Sequence, residues 1–232
     1  MKWLTGYRDV VFVIVMCLLG TAALSIDLPV TNFFRDAKIP SFWRDFVENT
    51  EPFGHGIGAF FILLVMVVLD VSRRKLMPWA YLAVYGAGIT TNILKLFTGR
   101  VRPRDLLADA EIKGVYETFR WWLEDGTARP KAGYESFPSG HSTSAFALAC
   151  VLSHFYPRGR YLFFFMAILV AYGRVQTRAH YLSDVCFGAA LGWGFATVIM
   201  YLMLKRHPEF RTDTVPSPLR GEGARRADEG ER

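Results

Sequence analysis

Apolar positions in this chain gather into six runs set apart by charged stretches: Val10 to Ile26, Gly56 to Leu69, Pro78 to about Phe97, Ser142 to about Tyr156, Tyr161 to Tyr172 and Val185 to about Leu204. Such runs, continuous and bounded by charge, predict helices that cross a bilayer. The expected fold is all-α, a polytopic membrane bundle of six transmembrane helices with interfacial helices in the extracytoplasmic loops. Lys2 and Arg8 precede the first run, so the start reads as a signal peptide or a first membrane helix, and the length of the run favours a retained helix.

The polar stretches divide into three kinds. Asp27 to Pro52 interleaves Phe33, Phe34, Phe42, Trp43 and Phe46 with charge, which suits a short helix at the membrane–water boundary. Thr98 to Gly140 is the longest polar connection, and Ala108 to Glu124 within it reads as an amphipathic helix that seeks the interface or packs on other loops. Beyond residue 206 the chain turns to Pro, Gly and charge. Residues 1–206 are therefore expected to form one membrane domain, and 207–232 a disordered cytoplasmic tail.

Composition agrees with the pattern: 52% of residues are hydrophobic and 15% aromatic, with a mean hydropathy of +0.20. The net charge of +6 comes without a basic repeat, zinc spacing or aromatic–basic RNA motif, so no nucleic-acid partner is expected. Lysine and arginine concentrate before the first run, at Arg73, Arg74 and Lys75, at Arg158 and Arg160, and in the tail. By the positive-inside rule both termini are cytoplasmic, and a bacterial inner membrane is the expected location. Cys17, Cys150 and Cys186 sit in apolar runs as small hydrophobes, and no oligomeric state follows from the sequence.

The candidate chemistry lies on the opposite face. His180 and Asp184 are four residues apart, so on a helix the carboxylate can hold one imidazole nitrogen while Arg174 attracts an anion. Alone, this cluster reads more readily as a polar closure of a helix end. Two further segments reach the same face: Lys95 to Pro103, with Lys95 and Arg102, and Pro138 to His141, where Ser139 and backbone N–H groups open a helix. Lys95 by itself could be a lysine snorkelling to the interface. His55 and His154 read as helix-end or packing histidines.

Together these segments resemble the type 2 phosphatidic acid phosphatase superfamily. Lys95, six residues, then Arg102-Pro103 matches its first motif, and Pro138-Ser139-Gly140-His141 its second. Arg174, His180 and Asp184 match the third, although Gly173 stands where the motif has serine. The resemblance implies that His180 attacks phosphorus to give a phosphohistidine, that Asp184 orients it, and that His141 protonates the leaving oxygen. Lys95, Arg102, Ser139, Gly140 and Arg174 would bind the phosphate. It further implies a phosphomonoester or diphosphate of a lipid as substrate, among membrane lipids, with no cofactor and no metal. A phosphotransferase or a non-catalytic lipid-binding protein of the same fold is the alternative. Arg100, Arg104 and Arg178 are outside the motifs and are expected to face solvent or lipid headgroups.

Overall fold

A computed structural model describes residues 7–106, 114–119 and 135–210. Each of the six apolar runs carries a helix: α1 (Tyr7–Ala23), α4 (Gly56–Leu69), α5 (Met77–Thr98), α6 (Gly140–Phe155), α7 (Arg160–Gln176) and α8 (Leu182–Arg206). Two more, α2 (Asp27–Asp36) and α3 (Ser41–Glu48), occupy the mixed stretch where a single interfacial helix was expected. The chain bends by 73° between α1 and α2, and by 61° between Ser41–Phe53 and α4. Strands are absent among the described residues, apart from one isolated bridge between Arg100 and Phe119.

By length and hydropathy, α8 is one helix able to cross a membrane, and the two bent pairs raise that number to three. The reason is physical: α4 and α6 have 14 and 16 residues, short of the ~20 that a hydrocarbon core requires. The 22-residue α5 is long enough but carries Thr90, Thr91, Asn92 and Lys95. Apolar side chains nonetheless cover the outside of the bundle, among them Leu18, Phe61, Val65, Ile89, Phe165 and Val198.

At the centre lies α6, most of whose residues are buried, from Ser142 and Thr143 through Phe155. A helix that is apolar on all sides belongs in a core, and α5, α7 and α8 surround it. The approach of α8 is especially close. A Cβ built on Gly188 would stand 2.6 Å from the Ser139 carbonyl oxygen, and one on Gly192 2.1 Å from that of Thr143. Glycine is therefore required at both positions, because any side chain would force the two helices apart.

Helix directions alternate, so the end of α5, the start of α6, the end of α7 and the start of α8 gather at one end of the bundle. The other end carries the basic turns. There Tyr156 donates to Asp70 at 2.9 Å, Arg73 pairs with Asp70 at 2.8 Å, and His207 meets Trp79 at 6.4 Å. Two expectations about loops need adjusting. Residues 208–210 form a 3-10 turn with Phe210 against the core; the rest of the expected tail lies outside the described residues. Of the expected Ala108–Glu124 helix, only residues 114–119 are described, and Val115–Thr118 form a 3-10 turn instead.

Candidate active site

The three segments meet because each sits where a helix begins or ends. Gly99 closes α5 in the left-handed conformation (φ 50°), a geometry glycine adopts without strain. The chain then runs extended through Arg102 into the Pro103–Asp105 turn, so Arg102 reaches the site from extended backbone and not from a continued helix. After α7 the chain folds back on itself, with the N–H groups of Ala179 and His180 both donating to the Arg174 carbonyl at 3.0 and 3.1 Å. Asp184 then caps α8 by accepting the Tyr181 N–H at 2.9 Å.

His180 is buried, and its Nδ1 lies 2.7 Å from the Ser136 carbonyl oxygen. A carbonyl only accepts, so Nδ1 carries the proton and Nε2 holds the free lone pair. Asp184 was expected to hold the imidazole directly, but its Oδ2 is 3.8 Å from Nδ1, too long for a hydrogen bond. Ser136 links them instead: its carbonyl holds the histidine while its hydroxyl donates to Asp184 Oδ2. Burial pushes the His180 imidazole below its ordinary value, against the attraction of Asp184 and the Ser136 carbonyl, with Lys95 adding to the downward shift.

Around this histidine stand cations. Lys95 is half-buried beside Gly140, whose Cβ, if present, would lie 3.6 Å from Lys95 Nζ. Arg102 pairs at 3.8 Å with Glu135, and Arg174 with Glu51. Among the described residues, Arg102 Nε and Arg174 Nε are buried without a hydrogen-bond partner, while His141 Nε2 lies 2.9 Å from Glu51 Oε1. Buried donors in native proteins are normally satisfied, so a cluster of them suits an oxyanion acceptor. Ser139 differs from the rest: fully buried, it caps α6, its oxygen accepting from the Ser142 N–H at 3.4 Å and the Ser142 hydroxyl at 3.0 Å. Gly173 faces α3, where a Cβ would press on Val47 Cγ1 at 2.9 Å, so glycine is what the local packing accommodates.

Three residues of the site were not singled out by sequence. Asp27, Ser136 and Glu51 lie far from the residues they touch along the chain, and no local spacing announces them. Arg100 requires a correction. Expected at solvent or headgroups, it is fully buried and stacks between Phe119 and Tyr181, with its guanidinium carbon 4.4 and 3.9 Å from the ring centroids. It donates to Asp27 at 2.7 Å, to Ser183 at 2.8 Å, to Thr118 at 3.1 Å, and to Asp184. Two buried carboxylates demand a buried cation between them, and Arg100 is that cation. Asp27 also accepts from the Ser183 N–H at 2.9 Å and from its hydroxyl, so α2 is tied to the start of α8.

Beside the second motif, an apolar cleft of about 390 Å³ opens between α1, α5 and α8, lined by Leu94, Phe137, Pro138, Phe187 and Phe195 among others. Among the described residues no group of three or more His, Cys, Asp or Glu gathers to hold a metal ion.

An all-helical membrane protein in which helix ends and one extended segment gather two histidines, a carboxylate and three cations at one end of the bundle defines the class. Residues 77–208 match the model of the PAP2 superfamily, and the chain belongs to that superfamily. It is 36% identical over 137 residues to a lipid A 1-phosphatase of Rhizobium etli, covering 56% of this chain and 54% of that protein. A lipid A 1-phosphatase of Rhizobium johnstonii is 34% identical over 137 residues, with 56% and 52% covered. The chain thus spans about half the length of the curated relatives it matches. Among solved structures it is similar to Aquifex aeolicus LpxE, with a TM-score of 0.59, 24% identity, and 76% of this chain and 95% of that one covered. It is also similar to a PAP2-type phosphatidylglycerolphosphate phosphatase of Bacillus subtilis, with a TM-score of 0.63, 18% identity, and 86% and 97% covered. These two likenesses speak to the fold.

Proposed function

We propose that this protein is an integral membrane phosphatase that hydrolyses a lipid phosphate through a phosphohistidine, with a lipid A 1-phosphate or a chemically similar lipid monophosphate as its substrate. The observation that carries the reading is the 2.7 Å contact of His180 Nδ1 with the Ser136 carbonyl oxygen, which calls for the proton on Nδ1 and leaves Nε2 as the nucleophilic atom. The names of the Rhizobium relatives support the substrate class. The apolar cleft next to Phe137 and Pro138 offers an acyl chain a place while its phosphate reaches the cations.

In the first step His180 Nε2 forms a bond to phosphorus as the bond from phosphorus to the lipid oxygen breaks. His141 gives its proton to that leaving oxygen. Positive charge grows on the His180 imidazole, and the Asp184 carboxylate 3.8 Å away stabilises it. Lys95, Arg102 and Arg174, with the Gly140 N–H, hold the equatorial oxygens, while Ser139 fixes the start of the helix that presents Gly140 and His141. In the second step His141 takes a proton from water as the water oxygen attacks phosphorus, the P–N bond breaks, and inorganic phosphate leaves. The fixed cations supply the charge stabilisation that a metal supplies elsewhere, so turnover is expected to persist in excess chelator. The site faces the periplasm and both termini the cytoplasm, which reporter fusions at Arg74 and Gly126 test.

Phosphate release from a panel of lipid phosphates, with lipid A 1-phosphate included, is the decisive assay. His180→Ala is expected to abolish release while leaving expression and membrane insertion intact. Undiminished release by that variant would remove His180 as the nucleophile, and transfer to an added acceptor without free phosphate would replace hydrolysis by phosphotransfer.

A further inference from the structure

Glu51 opens the short turn between α3 and α4, outside all three motifs. Its Oε1 and Oε2 each accept from one terminal nitrogen of Arg174 at 3.0 Å, a two-oxygen, two-nitrogen fork. Oε1 also lies 2.9 Å from His141 Nε2, at ion-pair distance though without hydrogen-bond alignment. Two oxygens of a phosphoryl group would meet a guanidinium in the same fork, so carboxylate and phosphate are rival ligands for one face of Arg174.

We infer that Glu51 is a positioning residue that holds the substrate's place on Arg174 in the resting enzyme and stays with His141 once the phosphate arrives. The inference rests on the reading of Arg174 as a phosphate ligand and His141 as the proton donor. Three observations bear on it. The Arg174 side chain is only 11% exposed, and a largely buried guanidinium without a counter-charge is costly. Glu51 is 36% exposed and sits in a three-residue turn, which lets it yield to an incoming anion. Burial would raise its carboxyl, but the hydrogen bond and charge of Arg174, with the charge of His141, hold it below the ordinary carboxylate range, so it competes as an anion at neutral pH.

The contact has two opposed effects. Before substrate binds, Glu51 keeps Arg174 in its binding rotamer and weakens phosphate binding by competition. Afterwards, the carboxylate released from Arg174 still faces His141, where its negative charge favours the imidazolium that must protonate the leaving oxygen. Removing the charge should therefore tighten ground-state binding and slow the chemical step. A side chain that served only to pack the turn would not move these two quantities in opposite directions.

Purified full-length protein in detergent, with orthovanadate as the phosphate-like probe, tests this. Glu51→Gln is expected to bind vanadate about five-fold more tightly, the scale of a partly exposed charge-assisted pair, and to lower both KM and kcat for a lipid phosphate. Glu51→Ala must change vanadate affinity in the same direction, and Glu51→Asp, which keeps the competing charge, must stay near the unsubstituted protein. Melting curves of the three variants confirm the folded state in which affinity is read. Unchanged or weaker vanadate binding in both Glu51→Gln and Glu51→Ala would overturn the inference, as would a kcat that does not fall in Glu51→Gln. Tighter vanadate binding with no phosphate release by any form of the protein would leave the place of Glu51 on Arg174 standing and overturn the hydrolase reading alone.

Discussion

Replacing Arg100 by methionine keeps much of the side-chain volume and removes every donor that the buried carboxylates use. Asp27 and Asp184 are each fully buried and each ion-paired to this one guanidinium. Taking one partner from a buried pair costs about 3–5 kcal/mol, because the remaining charge has neither water nor counter-ion. Here two carboxylates are stranded together, and Thr118 and Ser183 lose an N–H each, so the upper part of that range is expected. At roughly 2–4 °C per kcal/mol for a chain of this size, Arg100→Met should melt about 10–20 °C below the unsubstituted protein. Tryptophan fluorescence on heating in detergent micelles reads the shift. The double variant Asp27→Asn with Arg100→Met removes one stranded charge and should recover at least about 1 kcal/mol relative to Arg100→Met alone. A single variant that melts within a degree or two of the unsubstituted protein would refute the role given to Arg100. Strict additivity in the double variant would show that Asp27 and Arg100 do not act as a pair.

Further outcomes follow from the same geometry. Burial holds the His180 imidazole below 6.5, so its neutral, nucleophilic form survives as pH falls through that value; the acid limb of kcat/KM for a lipid phosphate should lie below 6.5, and a limb above it would contradict the assignment. Gly173→Ser restores the motif serine but drives a Cβ to 2.9 Å from Val47 Cγ1, so it should cost about 1–2 kcal/mol in thermal stability and be relieved by adding Val47→Ala. Gly192→Ala sets a methyl group against the Thr143 carbonyl and should lower both melting temperature and activity, whereas an alanine at exposed Gly56 should be nearly silent on both.

How far these features could be read from sequence varied with the range over which each acts. The six apolar runs marked six helices because a helix-forming segment carries its own signal, whereas the bend after Ala23 and the pair α2 and α3 depend on what the segment packs against. Lys95, Arg102, His141, Arg174 and His180 could be proposed from sequence because three short spacings hold them. Arg100, in the middle of the first spacing, was misjudged: an arginine among polar neighbours looks alike whether it meets water or two buried carboxylates. Asp27 pairs with it across 73 positions and Glu51 with Arg174 across 123, so no window of sequence holds both partners. The spacing of Asp184 from His180 could be read locally, but the link between them through Ser136 required the fold, since Ser136 is 44 residues from the histidine it holds.

The contact of α8 with α6 through Gly188 and Gly192 has a bearing on how such a protein can change over generations. The two histidines belong to the start of α6 and the approach to α8, and the gap between those helices is fixed by main-chain atoms that every sequence shares. Side chains on the outer faces, such as Leu18, Phe61, Val65 and Phe165, take no part in setting it. They are free to drift with the thickness of the host bilayer or the length of a lipid tail. So long as the two glycines remain, one spacing of the two histidines can be carried unchanged into membranes of different make-up.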